Sequence, residues 1–457
     1  MSGRGMEPAA AVTALVRQLD TSQWATPAEI ASSQLRHLGP LVEHLNAESP
    51  SFASRLRRAG LKPVDLTDRV GFGELPVLTR RDMQGCESDL YSRRVPPGHG
   101  EVWTTRTSGS MGEPVAVRRT GVSALFWGAM AMRQLGWHGV DPTGRLCSIR
   151  ANVPLYAKHD SWGAPASSFG RTGPMLTLPI RADVAQLTEW ISEFRPHVLV
   201  IYPSTLDAFT AHCERHGVRS TELRHILTIG ETLHPAIRAA AGRWFDTATV
   251  CDCYSSQEVG YIALECPASG LYHAMAEGLI AEVLNEAGEP CRVGEVGRAT
   301  ITDLHNYATP LIRYDIGDLV EMAPPCACGR GLPTWKRIVG RERNLVLMPD
   351  GTRHWPVTGF LRCREVAPVV QYQFVQQDRD NIEARLVVER ALSATEEEGL
   401  RSLFTAAIGY PFAVRLSYFD RQIPRSRSGK YEEFVCDVPE SLRKGPFGER
   451  LRNVETP

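Results

Sequence analysis

Residues 183–245 read DVAQLTEWISEFRPHVLVIYPSTLDAFTAHCERHGVRSTELRHILTIGETLHPAIRAAAGRWF, and their periodicity decides the fold class. Val184, Leu187, Trp190, Ile191 and Phe194 share one helical face, behind Asp183, which is placed to cap the helix with Gln186 three residues on. The apolar run His197-Val198-Leu199-Val200-Ile201 reads as a buried strand. Ser204 is placed to cap a second helix, with Leu206, Phe209 and Cys213 on one face and Gly217 to end it. His225-Ile226-Leu227-Thr228-Ile229 is a second buried strand, and Pro235 to Phe245 is helix-like. This alternation predicts an α/β protein whose parallel sheet is covered on both faces. Ligands of such sheets sit at the carboxyl ends of the strands. The turns Tyr202-Pro203-Ser204 and Gly230-Glu231-Thr232 lie there.

Toward the N-terminus, residues 1 to about 100 carry helical periodicity broken by prolines and end in the turn-rich run Val95-Pro96-Pro97-Gly98-His99-Gly100. Thr104-Thr105-Arg106-Thr107-Ser108-Gly109-Ser110-Met111-Gly112-Glu113-Pro114 follows. Its hydroxyls and glycine-exposed backbone amides suit a cluster of anionic oxygens. It is not a Walker loop, because Glu113 stands where that pattern needs a lysine. Toward the C-terminus the texture changes beyond Gly340-Arg341. Leu345 to Met348 and Arg353-His354-Trp355 flank the hairpin signal Pro349-Asp350-Gly351, residues 382–389 alternate as a strand, and Ser393 to Ile408 reads as helix. The expected division is a large domain over residues 1–340 and a small α+β domain over 341–457.

With 457 residues, 51 basic against 52 acidic side chains and a pI near 6.9, the chain has no net field to gather nucleic acid or an anionic membrane. Neither a signal-peptide core nor a membrane span is legible near the N-terminus, so a cytoplasmic location is expected. Eleven irregularly spaced cysteines suit metal binding or burial better than a disulfide framework.

Four further stretches join the Thr/Ser/Gly loop: Tyr254-Ser255-Ser256-Gln257-Glu258-Val259-Gly260, Arg313-Tyr314-Asp315-Ile316-Gly317-Asp318, Gly340-Arg341-Glu342-Arg343, and Ile423-Pro424-Arg425-Ser426-Arg427-Ser428-Gly429-Lys430. In this order they resemble the acyl-adenylating superfamily of acyl- and aryl-CoA ligases. Leu75-Pro76-Val77-Leu78-Thr79, Phe194-Arg195-Pro196 and residues 308–314 look like its phenylacetate–CoA ligase-like branch. The resemblance implies a large adenylate-forming domain and a small mobile lid. It also implies activation of a small carboxylic acid by ATP to an acyl-adenylate, with release of pyrophosphate, followed by transfer to a thiol, usually that of coenzyme A.

On the same resemblance, Thr107, Ser108, Gly109, Ser110 and Gly112 hold the β- and γ-phosphates, and Glu258 ligates magnesium. Asp318 accepts the ribose hydroxyls, Gly230, Glu231, Thr232 and Tyr254 frame the adenine, and Arg341 approaches ribose or phosphate. Lys430, from the small domain, sets its ammonium against the transition state. Two departures stand out: Ser255 and Gln257 replace the usual glycine and threonine near the glutamate, and Arg343 replaces the usual hinge aspartate. Alternatives within the resemblance are transfer to a carrier-protein thiol or an amine, and ATP-dependent activation of nitrite against an aryl amine. From outside it comes a catalytically silent, zinc-stabilised binding protein.

Cys266, His273, Cys326 and Cys328 form a set suited to a closed, structural zinc shell. Branch members resembled here carry the Cys-x-Cys-Gly-Arg phrase with such a site. Spacing alone leaves a rival, in which Cys251 and Cys253 meet Cys326 and Cys328. For the acid, Tyr202 and Pro203 with Trp127, Trp137 and His138 suggest aromatic walls for a planar aryl group.

Overall fold

The computed structural model describes residues 8–85, 87–106, 115–354, 363–408, 410–420, 422–425 and 431–439. The chain opens with helices α1 (Pro8–Ser22), α2 (Pro27–Glu48), α3 (Pro50–Ala59), α4 (Arg69–Glu74), α5 (Arg80–Met83) and α6 (Glu87–Leu90). Pro27 and Pro50 occupy first turns, α2 behind a Thr26/Glu29 capping box and α3 behind Ser49, whereas Pro40 lies inside α2. A two-stranded ribbon, β1 (Val102–Arg106) and β2 (Ala116–Thr120), leads into α7 (Gly121–Trp137). Residues 107–114, the expected phosphate loop with Thr107, Ser108, Gly109, Ser110 and Gly112, lie outside the described residues.

The large sheet is built from β3 (Leu146–Arg150), β4 (Ala157–His159), β5 (Met175–Pro179), β6 (Val198–Ile201), β7 (His225–Thr228), β8 (Thr249–Ser256), β9 (Gly260–Glu265), β10 (Tyr272–Ala274), β11 (Leu279–Leu284), β12 (Val296–Asp303), β13 (Tyr314–Met322) and β14 (Thr334–Arg341). Their spatial order is β11-β12-β13-β14-β10-β9-β8-β7-β6-β3-β5-β4. The expected parallel sheet is present but is only part of this surface. Neighbours β5, β3, β6, β7 and β8 run parallel. Strand β8 then changes partner: residues 249–252 pair with β7, whereas 253–256 pair antiparallel with β9.

Helices α8 (Val184–Phe194), α9 (Pro203–His216) and α10 (Pro235–Trp244) cover one face through a core that includes Leu187, Leu206, Phe209, Ile226 and Phe245. Asp183 caps α8 as read, accepting from the Gln186 amide at 2.8 Å. Gly217 ends α9 at φ 67°, a conformation open to glycine. Ser204 does not cap α9. Tyr202 holds that position with Pro203 behind it, and the Ser204 amide donates to Glu231 Oε2 at 2.9 Å. A carboxylate from the neighbouring turn does the capping, which the helix dipole favours.

Beyond Arg341 the chain forms the expected short hairpin, β15 (Val346–Leu347) with β16 (Arg353–His354), and then a separate four-stranded sheet. This holds β17 (Val369–Gln376), β18 (Asn381–Val388), β19 (Ala413–Tyr418) and β20 (Phe434–Cys436), with α11 (Cys363–Val366) and α12 (Ala394–Ile408). Its own core includes Phe374, Leu386, Leu400, Phe404 and Phe434. Lys430 lies outside the described residues, as does the segment 440–457. Among the described residues no helix is long and apolar enough to cross a membrane.

Close packing of the N-terminal helices on the sheet gives a first test. A Cβ on Gly331 would stand 1.8 Å from the Ala25 carbonyl oxygen, whereas one on Gly73 would meet nothing within 4 Å. Gly331→Ala is expected to destabilise the large domain by about 1–3 kcal/mol. Gly73→Ala should be neutral or mildly stabilising, both read as shifts of the calorimetric transition.

Candidate active site

A cavity of about 830 Å³ opens at the carboxyl edge of the parallel strands. The predicted turns meet there: Tyr202, Pro203 and Ser204 after β6, and Gly230, Glu231 and Thr232 after β7. From the half of β8 that leaves the parallel sheet come Tyr254 and, in the turn before β9, Glu258. Asp318 and Arg341 enter from β13 and β14, where they are register partners.

Asp318 is the centre of a buried triad. Arg341 Nε donates to Asp318 Oδ1 at 2.8 Å, Arg341 Nη1 donates to the Ile316 carbonyl at 3.1 Å, and the Tyr254 hydroxyl donates to Asp318 Oδ2. The Asp318 charge holds the Arg341 guanidinium more firmly protonated, and burial raises the Tyr254 pKa. Tyr254 therefore serves here as a neutral donor that aims the carboxylate. Glu258 is buried on the opposite side, 4.0 Å from Arg80 Nη1. Arg80, Arg106 and Arg150 also line the cavity and escaped the sequence reading. Only the position of Arg106 beside the Thr/Ser/Gly loop could have signalled one of them. Two separated carboxylates among several guanidiniums suit a ligand that is itself polyanionic and carries a hard cation.

Glu231, which lines the cavity, is also tied to the protein by both carboxylate oxygens. Its Oε2 caps α9, and its Oε1 accepts the Tyr431 amide at 2.7 Å, with Arg425 Nη1 at 3.6 Å. Arg425 also donates to Ser204 Oγ and Thr205 Oγ1. Tyr431, Glu432, Glu433 and Phe434 line the same cavity, so the segment just past Lys430 closes one wall. Further ion pairs across the expected boundary include Arg364 with Asp207 at 2.7 Å, His234 Nε2 with Glu433 at 3.3 Å and Arg215 with Glu389 at 2.9 Å.

Trp127, Trp137 and His138 do not line this cavity. Trp127 packs under Arg119 and edge-on to Tyr261. Trp137 donates to Gln23, and His138 Nε2 meets the Glu265 carbonyl. Helix α7 uses these side chains to hold the N-terminal helices and β9. Tyr202 and Pro203 do reach the cavity, together with Trp162, which the sequence reading missed.

The cysteine set converges as predicted: the ligand atoms of Cys266, His273, Cys326 and Cys328 all lie within 4.8 Å of one another. Cys328 Sγ stands 3.3 Å from His273 Nε2, and Nδ1 lies 3.4 Å from the Leu332 carbonyl. A proton on Nδ1 directed at that carbonyl leaves the Nε2 lone pair facing the thiols, the tautomer a metal requires. Burial lowers the His273 pKa to about 4, which keeps the ring neutral. The rival pair is elsewhere, with Cys253 Sγ bonded to the Thr228 carbonyl and Cys251 Sγ to that of Thr249.

No family model matches the chain. Its fold is that of the acyl-CoA ligases of the adenylate-forming superfamily. A solved structure of 2-hydroxyisobutyryl-CoA ligase in the postadenylation state, in complex with 2-HIB-AMP, superposes with a TM-score of 0.71 and 18% identity over 92% of this chain and 91% of that one. Its curated sequence homologues are phenylacetate-coenzyme A ligases. The Thermus thermophilus enzyme is 23% identical over 372 residues, 79% of this chain and 81% of the relative. The Escherichia coli enzyme is 23% identical over 340 residues, 72% and 75% respectively.

The domain contacts carry a pH dependence. Burial alone would lower the His234 pKa, but Glu433, with Asp207 nearby, raises it. Burial would raise that of Glu433, but His234 lowers it. The pair therefore stabilises docking fully between the unfolded values of about 4.5 and 6.5, and its contribution fades as pH rises through the raised His234 value. Fluorescence transfer between labels on the two domains should report weaker docking above neutrality. His234→Gln should flatten that limb.

Proposed function

We propose that this chain is an AMP-forming ligase that activates a small carboxylic acid with ATP and passes the acyl group to the thiol of coenzyme A. One observation carries the reading. Glu258, the Tyr254–Asp318–Arg341 triad and the 230–232 turn share a single cavity, whose remaining wall comes from the small domain beside Lys430. The homologues act as phenylacetate-coenzyme A ligases and the structural neighbour holds an acyl-AMP, which is the same two-step chemistry.

Asp318, aimed by Tyr254 and Arg341, takes the ribose hydroxyls, and Arg341 keeps that carboxylate ionised. Glu258 holds Mg²⁺, which when bound neutralises phosphate oxygens as pyrophosphate departs. The loop 107–112 wraps the outgoing phosphates, following the guanidinium of Arg106. Lys430 stabilises charge that develops at the reacting phosphorus. The Arg425–Glu231 contact brings the strand after Lys430 to the cavity, so water is displaced only while the domains are docked. The small domain, taken as residues 341–457, then moves away for thioester formation.

The Cys266, His273, Cys326 and Cys328 set would hold one zinc ion through four protein donors, which would make the metal structural. It braces β9, β10 and the loop before β14, the strands that continue to Glu258 and Arg341.

Pyrophosphate release with ATP and a panel of acids, with and without coenzyme A, tests the reading; a silent binding protein predicts none. Lys430→Ala should lower adenylation by at least about 10²–10³-fold, the scale set by losing one preorganised electrostatic group. Its melting temperature should be unchanged.

Elemental analysis should find one zinc per chain. Cys328→Ser should lose it together with thermal stability, because binding free energy is folding free energy at such sites.

A further inference from the structure

The part of the cavity lined by β3 and β5 mixes Leu146, Met175, Trp162 and Tyr202 with the polar Ser148, Arg150 and Thr177. Arg150 ends β3, one of the parallel strands, with Leu146 and Ser148 on its own face, and Met175 and Thr177 beside it on β5. Its Nε donates to Ser148 Oγ at 2.8 Å, and Ser148 is buried. That bond fixes the plane of the guanidinium while leaving both terminal nitrogens to the cavity. Among the described residues no carboxylate pairs with Arg150, in contrast to Arg80, which faces Glu258, and Arg341, which faces Asp318.

We propose that Arg150 is a specificity-determining residue: its free fork binds a second anionic oxygen group on the acid, a carboxylate or phenolate remote from the carboxyl that is activated. The inference rests on the ligase reading. The nucleotide end of the cavity is defined by Asp318 and Arg341 from the antiparallel strands, and Arg150 arises from the parallel strands. An acyl-adenylate with its ribose on Asp318 extends its acyl end toward β3. A partly desolvated guanidinium needs a charged acceptor, and a planar fork held at Nε offers two parallel N–H groups to one. Serine and threonine hydroxyls around it accommodate polar substituents, while the rings of Trp162 and Tyr202 offer the ring of an aryl acid its apolar contact.

The test compares pyrophosphate release for benzoate and phenylacetate with that for the same acids carrying a second carboxylate or a hydroxyl at each ring position. Wild type should favour at least one oxygen-substituted acid over its parent by tenfold or more in kcat/KM. Arg150→Met should reduce that ratio at least tenfold, mainly through KM, with the calorimetric affinity for ATP within twofold of wild type. Arg150→Lys should recover part of the ratio. Ser148→Ala, which only releases the clamp on Nε, should shift the ratio in the same direction by less. An unchanged ratio in Arg150→Met overturns the proposal. So does an equal loss for parent and substituted acids, which would put Arg150 on the reacting carboxylate or the nucleotide. Wild type that releases no pyrophosphate with any acid sinks the ligase reading and this inference with it, a result distinct from turnover whose selectivity ignores Arg150.

Discussion

Strand β8 changes partners at Asp252, and a buried polar knot makes the change possible. The Asp252 carboxylate accepts from Thr228 Oγ1 on β7 and from the Tyr272 hydroxyl on β10, and its amide donates to Glu265 on β9. Glu265 in turn pairs with Arg238 of α10 at 2.7 Å. Burial raises the Asp252 pKa to about 6 in spite of its donors, so the carboxylate is tolerated only because every neighbouring element bonds to it. Deleting one member strands a buried polar group, at a cost of about 1–3 kcal/mol. Because β8 stays pinned up to residue 252, the following residues splay from β7 onto β9. That departure carries Tyr254 and Glu258 over the carboxyl edge, opposite Asp318.

The same geometry explains why the small domain has somewhere to dock. The helices α9 and α10 begin at the cavity rim, and Asp207 of α9, Glu231 of the turn before α10 and His234 at the α10 cap face Arg364, Arg425 and Glu433. Each contact is charged, and each is partly exposed. Such pairs contribute modestly and reversibly, unlike an apolar seam. At the boundary, Glu342 accepts from Arg298 of β12 and from Arg353 of the hairpin strand β16, so the residue beside Arg343 is itself tethered on both sides. A chain without the usual hinge aspartate thus keeps a carboxylate clamp one position away.

The parallel core was legible because burial on both faces leaves uninterrupted apolar runs such as 198–201, and Asp183 and Gly217 punctuate the helices by local chemistry alone. The antiparallel half was not, since β9 to β14 alternate weakly and their partners are set by the Asp252 knot and by the Cys266–His273 cluster, both long-range. Asp318, Tyr254 and Glu258 could be named from motif order, and the structure brings them together. That Arg341 would pair with Asp318 needed the β13–β14 register. Ser204 was misread because the helix begins earlier, with Tyr202 as its cap and Pro203 in its first turn, which leaves Ser204 inside it with its amide bonded to a carboxylate 27 residues on. Thr107 to Gly112 and Lys430 fall outside the described residues, so their assignment remains the motif's own.

Aromatic composition misled for a physical reason. Trp127 and Trp137 lie on α7, whose other contacts include Arg133, fully buried against Glu277 and the carbonyl of Leu19. Trp137 meets His273 edge-on at 5.7 Å and lies under Arg330, which reaches Gln23 from the turn that carries Cys328. Trp137 thus links the cysteine cluster to the N-terminal helices, while Trp127 packs with Phe126 and Tyr261 around a separate small cavity, away from the one that holds Asp318. On the proposed function, the floor of the acid site falls instead to the parallel strands β3 and β5, whose side chains near the edge are Ser148, Arg150 and Thr177. The Asp318–Arg341 pair belongs to β13 and β14, on the other side of β8, so residues on β3 and β5 lie outside that register.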